Sequence, residues 1–441
     1  MIHALYDLVA WAAQPLLRRK LRRRGRAEPG YLQAVEERFG RYGDAPPRPQ
    51  PAPGAPLVWI HAVSLGETRA AAILLRELRA QWPGMRLLLT HGTATGRAEG
   101  ARLLQPGDAQ VWQPWDTRGA TRAFVTRYRP DLGVLMETEI WPNLVRACRR
   151  AGVPLVLANA RLSEKSLRGA RRAAWLLRPA YAGLSAAYAQ GEADAERLRA
   201  AGAPVAGVLG NLKYDAEAPA ALLERGRHWR AQATQPVVML ASSREGEEAE
   251  FLRQLKAGAW VAANGAAAAP PQWLLVPRHP QRFDEVAALV AQQGLDLSRR
   301  SIWGEGAEGR PQAAAVWLGD SLGEMPAYYA LADVALLGGS FEPLGGQNLI
   351  EAAACGCPVV MGPHTFNFAE AAEHALAAGA ALRVANLAEG LAVAAALARD
   401  EARRARMAAA GQAFARQHQG AARRTVEALR DWVDAAAAPG R

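Results

Sequence analysis

Apolar residues in this chain gather in short runs, and longer stretches with helical spacing lie between them. Leu57–Ala62, Arg86–Thr90, Pro154–Ala160, Pro236–Ala241, Trp273–Pro280, Val334–Leu337 and Val359–Met361 read as buried strands. Asp131–Glu139 (DLGVLMETE) reads as another, and Val205–Lys213 and Val316–Asp320 continue the series. Beyond Met361 the alternation weakens, and Leu391–Ala435 is mostly helical. Strand and helix thus alternate in two series, which predicts α/β architecture: two facing Rossmann-like domains, at 57–215 and 234–420, with an inter-domain cleft.

The first residues follow another pattern. Met1–Leu17 is apolar but interrupted by His3, Asp7, Gln14 and Pro15, and a membrane-spanning helix needs ~20 mostly apolar residues. On a helix, His3, Asp7, Gln14 and Arg18 share one arc of about 60°, and Ile2, Leu5, Val9 and Leu16 lie opposite. Residues 1–27 are therefore expected to form a membrane-associating amphipathic helix followed by a polybasic segment. A short signal-anchor and a solvated basic helix are the other readings. Ala45–Pro56, with six prolines, predicts an extended linker reaching up to roughly 35 Å.

Charge adds to this picture. The net charge of +11 is uneven, because Met1–Ala27 alone carries +6. The basic balance thus points to an anionic surface near the N-terminus. No aromatic-basic interleaving or recognised module supports nucleic-acid binding. The three cysteines, Cys148, Cys355 and Cys357, fit reduced thiols, and Cys355 and Cys357 form a C-x-C that matches neither a usual zinc pattern nor a redox pair.

Candidate chemistry centres on Val334–Pro363, which reads strand, glycine-rich loop, helix, strand. Gly338, Gly339, Gly345 and Gly346 allow close backbone approach. Asn348 is a helix N-cap, and the helix it opens is suited to a phosphate. Glu351, one turn on, is placed to accept hydrogen bonds from ribose hydroxyls. An ordinary βαβ unit is the plain alternative. In the first domain Glu67 stands at a strand-to-helix junction, where the dipole favours an ionised carboxylate suited to a base, or simply to stabilising its helix. Glu137 and Glu139, two apart on a strand, are expected to face the same side at its carboxyl end. His91–Gly96 is a second candidate anion cradle or a simple turn. The loop from Arg161 to Ser166 reads as an anion-holding or a solvated loop. Lys213, Arg278 and His279 are polar ends whose plain reading is solvent exposure.

The motifs HAVSLGE (61–67), METEIWPN (136–143), NARLSEKS (159–166), GNLKYD (210–215), PRHPQRF (277–283), GDSLGEM (319–325), GGSFEPLGGQN (338–348) and MGPHTFNF (361–368) occur in order. Together they resemble the 3-deoxy-D-manno-octulosonic acid (Kdo) transferases of lipopolysaccharide biosynthesis. The resemblance runs from the N-terminal helix to about residue 420. It implies a GT-B-type inverting glycosyltransferase moving Kdo from CMP-Kdo to a lipid A precursor (lipid IVA) at the cytoplasmic side of the cell inner membrane. By motif, Glu67 is then the proton acceptor, and Glu137 and Lys213 stabilise the transition state. Pro277, Arg278, Leu322, Gly323, Glu324, Asn348, Leu349, Ile350 and Glu351 bind CMP. The resemblance implies no metal or other cofactor, and the sequence has no clustered Asp-x-Asp or histidine set that demands one. The implied partners are CMP-Kdo, the lipid acceptor and an anionic membrane surface. Three departures stand out: a long 45–56 stretch, Pro326 after GEM, and Gln347 where a His is frequent. Another sugar-nucleotide transferase, a nucleotide-sugar epimerase and an inactive membrane-bound relative are the alternatives, the last opposed by the intact Glu67, Lys213, Arg278 and Glu351 set.

Overall fold

The computed structural model describes residues 2–261, 269–304 and 309–437, with side chains from Tyr6 through Asp434. The expected facing of Ile2, His3 and Leu5 therefore lies outside the described side chains. The chain forms two compact units, the first ending at Asp215 and regaining the chain from Gln419, the second running from Ala216 to His418.

In the first unit seven parallel strands form one sheet: β1 (Leu57–His61), β2 (Arg86–His91), β3 (Ala109–Trp112), β4 (Leu132–Met136), β5 (Leu155–Ala160), β6 (Ala186–Ala189) and β7 (Val205–Val208). Their order is β3-β2-β1-β4-β5-β6-β7. All five residues of β1 are buried, which explains its unbroken apolar run: both faces of a parallel sheet are covered by helices. On one face Trp59, Leu135 and Leu157 pack with Phe124 and Leu144 of helices Arg118–Tyr128 and Pro142–Arg150. On the other, Val58, Ile60 and Val134 pack with Leu74 and Leu78 of helix Leu65–Gln81 and with Leu429 of the last helix, Ala421–Ala437. That last helix lies beyond the 234–420 assigned to the donor domain. Asp215 holds its start, accepting the Gly420 and Ala422 N–H groups at 2.6 Å each.

The N-terminal segment forms two helices, Ile2–Ala12 and Gln14–Ala27, with Pro15 in the first turn of the second. Tyr6 donates to Asp116 at 2.7 Å, and Asp7 pairs with Arg146 at 3.0 Å, so the polar side docks on the protein. Leu8, Trp11 and Leu16 are left 59–69% exposed. No helix among the described residues is long and apolar enough to cross a membrane. The proline-rich stretch departs from a free spacer. Arg48 donates to the Tyr128 carbonyl at 2.9 Å and Ala52 N–H to the Gly84 carbonyl at 3.0 Å, which strap it along the first unit.

The second unit repeats the plan with β8 (Val237–Ser243), β9 (Gln272–Pro277), β10 (Leu297–Arg299), β11 (Val316–Leu318), β12 (Val334–Leu337), β13 (Val359–Met361) and β14 (Ala381–Arg383). The order is β10-β11-β9-β8-β12-β13-β14, again parallel. Each unit is thus a doubly wound, Rossmann-like sheet. Strand order reverses between β1 and β4 in one and between β8 and β12 in the other, and ligands bind α/β sheets outside the carboxyl ends at such points.

Candidate active site

Two of the sequence-selected carboxylates flank the reversal point of the first unit. Glu67 follows β1, in the first turn of helix Leu65–Gln81. Ser64 caps that helix and takes the Glu67 N–H at 3.3 Å, while the Glu67 carboxylate reaches back to Val63 N–H at 2.8 Å and Ser64 Oγ at 3.0 Å. This reciprocal cap fixes the side chain. Burial pushes its carboxyl up to about 7 against the pull of the Val63 bond, and the charges of Glu137 and Glu139 add to the rise. The dipole argument expects a readily ionised group. Desolvation outweighs it here, leaving a carboxyl poised near neutrality, as a general base requires.

Glu137 corrects a second expectation. Strand β4 ends at Met136, and Glu137 begins a turn with φ +59°, so the two-residue period does not relate Glu137 to Glu139. Glu139 instead takes the Trp141 indole N–H at 2.7 Å, and burial raises its pKa. The buried Glu137 carboxylate pairs with Lys213 Nζ and with Arg161 Nε, each at 3.0 Å. Two cations thus share one carboxylate across the ends of β4, β5 and β7, and the cluster suits negative charge. Asn159, also left-handed at φ +51°, accepts the Leu212 N–H at 3.0 Å and so sets the start of the turn that carries Lys213. Left-handed backbone at residues other than glycine is strained and gathers at functional sites. His61 and His91 take no part as acids. Burial drives their pKa values down to about 3 and about 4, and their Nδ1 atoms bond Thr90 Oγ1 and the Ala62 carbonyl at 2.9 Å.

In the second unit, loops far apart in sequence meet along the carboxyl edge of β11, β9, β8 and β12. Pro277 ends β9, and the exposed Arg278 is tied to β8 by its N–H to the Ser243 carbonyl at 3.0 Å. After β11, Leu322 is exposed and Gly323 has φ +80°. Glu324 is spent internally: it takes Arg225 at 2.6 Å, Arg300 at 2.9 Å and Ser321 Oγ at 2.5 Å. Leu322 and Gly323 are therefore the exposed part of this loop. After β12 the chain turns at Gly338, where a side chain would meet the Ala241 and Ser242 carbonyls at 2.5 and 2.4 Å. Asn348 caps helix Leu349–Ala354 by accepting Ile350 N–H at 3.1 Å, and Leu349 and Ile350 are buried in its first turn. Glu351, in that same turn, is half-buried.

The central strand β8 supplies what the motifs did not single out. Glu247, fully buried, accepts Gly339 N–H at 2.7 Å, Arg244 N–H at 2.9 Å and Phe341 N–H at 3.2 Å, so it clamps the glycine loop. Its pKa is raised by burial, against those three bonds. The only signal in the sequence was a Gly-Glu pair opening a helix behind a strand. A cavity of about 630 Å³ opens instead at the amino ends of β9 and β11, beside Trp273 and Trp317, away from these loops. No group of three His, Cys, Asp or Glu among the described residues could hold a metal ion. All three cysteines are free thiols, and burial raises the pKa of each.

The family model described as 3-deoxy-D-manno-octulosonic-acid transferase (kdotransferase) matches residues 33–216, and one described as glycosyl transferase-like matches 282–430. A 3-deoxy-D-manno-octulosonic acid transferase of Bordetella pertussis is 48% identical over 442 residues, covering 98% of this chain and 100% of that protein. One from Haemophilus influenzae is 32% identical, covering 92% and 93%. A crystal structure of a glycosyltransferase from Rickettsia africae shares the fold, with a TM-score of 0.56 over 86% of this chain and 99% of that one, at 12% identity.

Proposed function

The chain belongs to the 3-deoxy-D-manno-octulosonic acid transferase family, and from that premise we propose that it moves Kdo from CMP-Kdo to a sugar hydroxyl of a lipid A precursor. The observation that carries the chemistry is Glu67, a capped carboxyl at the sheet's reversal point whose pKa lies at about 7. In this reading Glu67 takes the acceptor hydroxyl's proton as that oxygen attacks the anomeric carbon of Kdo. The bond from that carbon to the CMP phosphate oxygen breaks with inversion, and CMP leaves with the bonding pair. Lys213 and Arg161, balanced by Glu137, answer negative charge on the sugar during transfer. Arg278 and the backbone around Asn348 hold the nucleotide phosphate, and Glu351 holds the ribose. With cations and N–H groups in these roles, the reading needs no metal. The apolar residues left exposed on the N-terminal helix, next to seven basic residues from Arg18 to Arg26, support work at the cytoplasmic side of the inner membrane.

The test is incubation with CMP-Kdo and a lipid A precursor, with and without a chelator. The expected product is heavier by whole Kdo units in both arms. CMP release without a mass gain in the lipid would contradict the acceptor assignment.

The donor half has its own test. Arg278→Ala and Glu351→Ala should each weaken CMP binding by roughly 10- to 100-fold, the worth of a hydrogen bond to a charged group. Calorimetry that returns the native affinity for both would move the nucleotide elsewhere.

A further inference from the structure

Helices Arg118–Tyr128 and Pro142–Arg150 lie side by side on the face of the first sheet opposite helix Leu65–Gln81. Between them is a hollow of about 350 Å³ whose charged lining is four arginines, Arg118, Arg122, Arg146 and Arg150. Arg146 is neutralised by Asp7 at 3.0 Å. The other three guanidinium groups have no carboxylate partner among the described residues. Such a concentration of unbalanced fork-shaped donors suits a phosphate, which takes two guanidinium N–H groups at once.

What surrounds the hollow identifies the source of that phosphate. Arg118 also borders a second hollow beside Leu8 and Trp11 of the N-terminal helix. Tyr6–Asp116 and Asp7–Arg146 lock that helix against the same wall. An outward apolar strip, with Leu8, Trp11 and Leu16 at least 59% exposed, therefore runs next to an unbalanced cationic pocket. A membrane lipid offers that pair of features in one molecule, acyl chains and a headgroup phosphate, and a free anion offers only the second. We propose that the arginine hollow binds the headgroup phosphate of an anionic membrane lipid, as a site separate from both the catalytic carboxylates and the Arg18–Arg26 segment. It rests on the membrane reading of the N-terminal helix but not on the transfer chemistry.

The experiment measures binding of the full chain to phosphatidylcholine vesicles doped with phosphatidylglycerol, at low salt and at about 0.5 M, where the Debye length shrinks to roughly 4 Å. Replacing Arg118, Arg122 and Arg150 together by Gln should weaken binding on the order of 100-fold, each basic group near an anionic leaflet being worth about a factor of five. The matching Lys variant keeps the charge and loses the fork, and should still bind several-fold more weakly at high salt. Arg19→Gln/Arg22→Gln/Arg23→Gln should lose binding at low salt only. All three sets are exposed, and an unchanged thermal melt verifies the fold. A Lys variant that binds like the native chain would reduce the hollow to diffuse charge and overturn the proposal. So would native binding by the Gln variant, or full displacement of vesicles by millimolar inorganic phosphate. Trp11→Ser/Leu16→Ser tests the membrane reading separately, and none of these measurements involves sugar transfer.

Discussion

Glu67→Gln is expected to transfer Kdo ~100- to 10,000-fold more slowly than the native chain while binding CMP equally well, the usual cost of losing a general base. Gln keeps an oxygen for Val63 N–H and an amide that can donate to Ser64 Oγ, so the cap survives. Only the capacity to accept a proton is lost. In the native chain the rate should fall roughly tenfold for each pH unit below about 7, because the base must be unprotonated, and the variant's residual rate should lose that dependence. Stability runs the other way. The folded pKa of about 7 stands above the ordinary 4.5, so the native state holds a proton that the unfolded state has released. The stability this confers is complete below about 4.5 and lost as pH rises through about 7. The Gln variant carries no such loss, and it should melt above the native chain at about pH 8. One preparation serves for transfer, CMP affinity and melting. Near-normal transfer would remove Glu67 as the base and turn attention to Glu137.

The buried centre of each sheet was legible in the sequence, and its margins were not. Val334–Leu337 and Val359–Met361 fall where the apolar runs put them, because a central parallel strand buries both faces and needs no polar alternation. Four strands, β3, β6, β10 and β14, escaped. Three of these are sheet edges, and β6, Ala-Ala-Tyr-Ala, has a helix former's composition that only its neighbours override. Ala45–Pro56 reads as a spacer by composition, and its carbonyls and N–H groups find partners on the domain only once the domain is folded.

At the site, motif order brought out most of the candidate residues but not their relations. Glu137, Arg161 and Lys213 form one ion cluster across 77 positions, and only the order β4, β5, β6, β7 brings their loops to one edge. The left-handed turn at Glu137 was invisible for a different reason: a non-glycine residue gives no warning of a positive φ. Burial was the third blind spot. It raises the Glu67 pKa that the helix dipole was expected to hold down, and it sets the Glu324 carboxylate between Arg225 and Arg300, partners that the motif did not reveal.

Burial also hid the residue whose loss should do most to the donor half. Glu247 sits in the charged run Arg-Glu-Gly-Glu-Glu, a composition that gives no sign of burial. In the fold its side chain is fully buried, and one carboxylate satisfies three backbone N–H groups, two of them in the loop after β12. Glu247→Ala leaves those donors without their acceptor, at ~1–3 kcal/mol for each that finds no water. Other bonds also tie the loop, among them Gly346 N–H to the Gly339 carbonyl at 2.7 Å, His364 N–H to the Ser340 carbonyl at 3.0 Å and Gly362 N–H to Ser340 Oγ at 2.8 Å, but none of these takes the Gly339 or Phe341 N–H. The expected result is a loss of at least ~3 kcal/mol of stability, together with a fall of roughly 100-fold in CMP affinity as the loop loses its preset form. Glu247→Gln should be intermediate. Its oxygen can serve Gly339 and Arg244, but its amide then meets the Phe341 N–H donor to donor. Because Glu247 is a positioning residue that is assigned no contact with nucleotide, saturating CMP-Kdo should recover most of the Gln variant's transfer rate, so the defect appears in the donor KM rather than in kcat. A Gln variant with native KM and depressed kcat would place Glu247 in the chemistry, and native CMP affinity in the Ala variant would mean that the loop holds its form without the clamp.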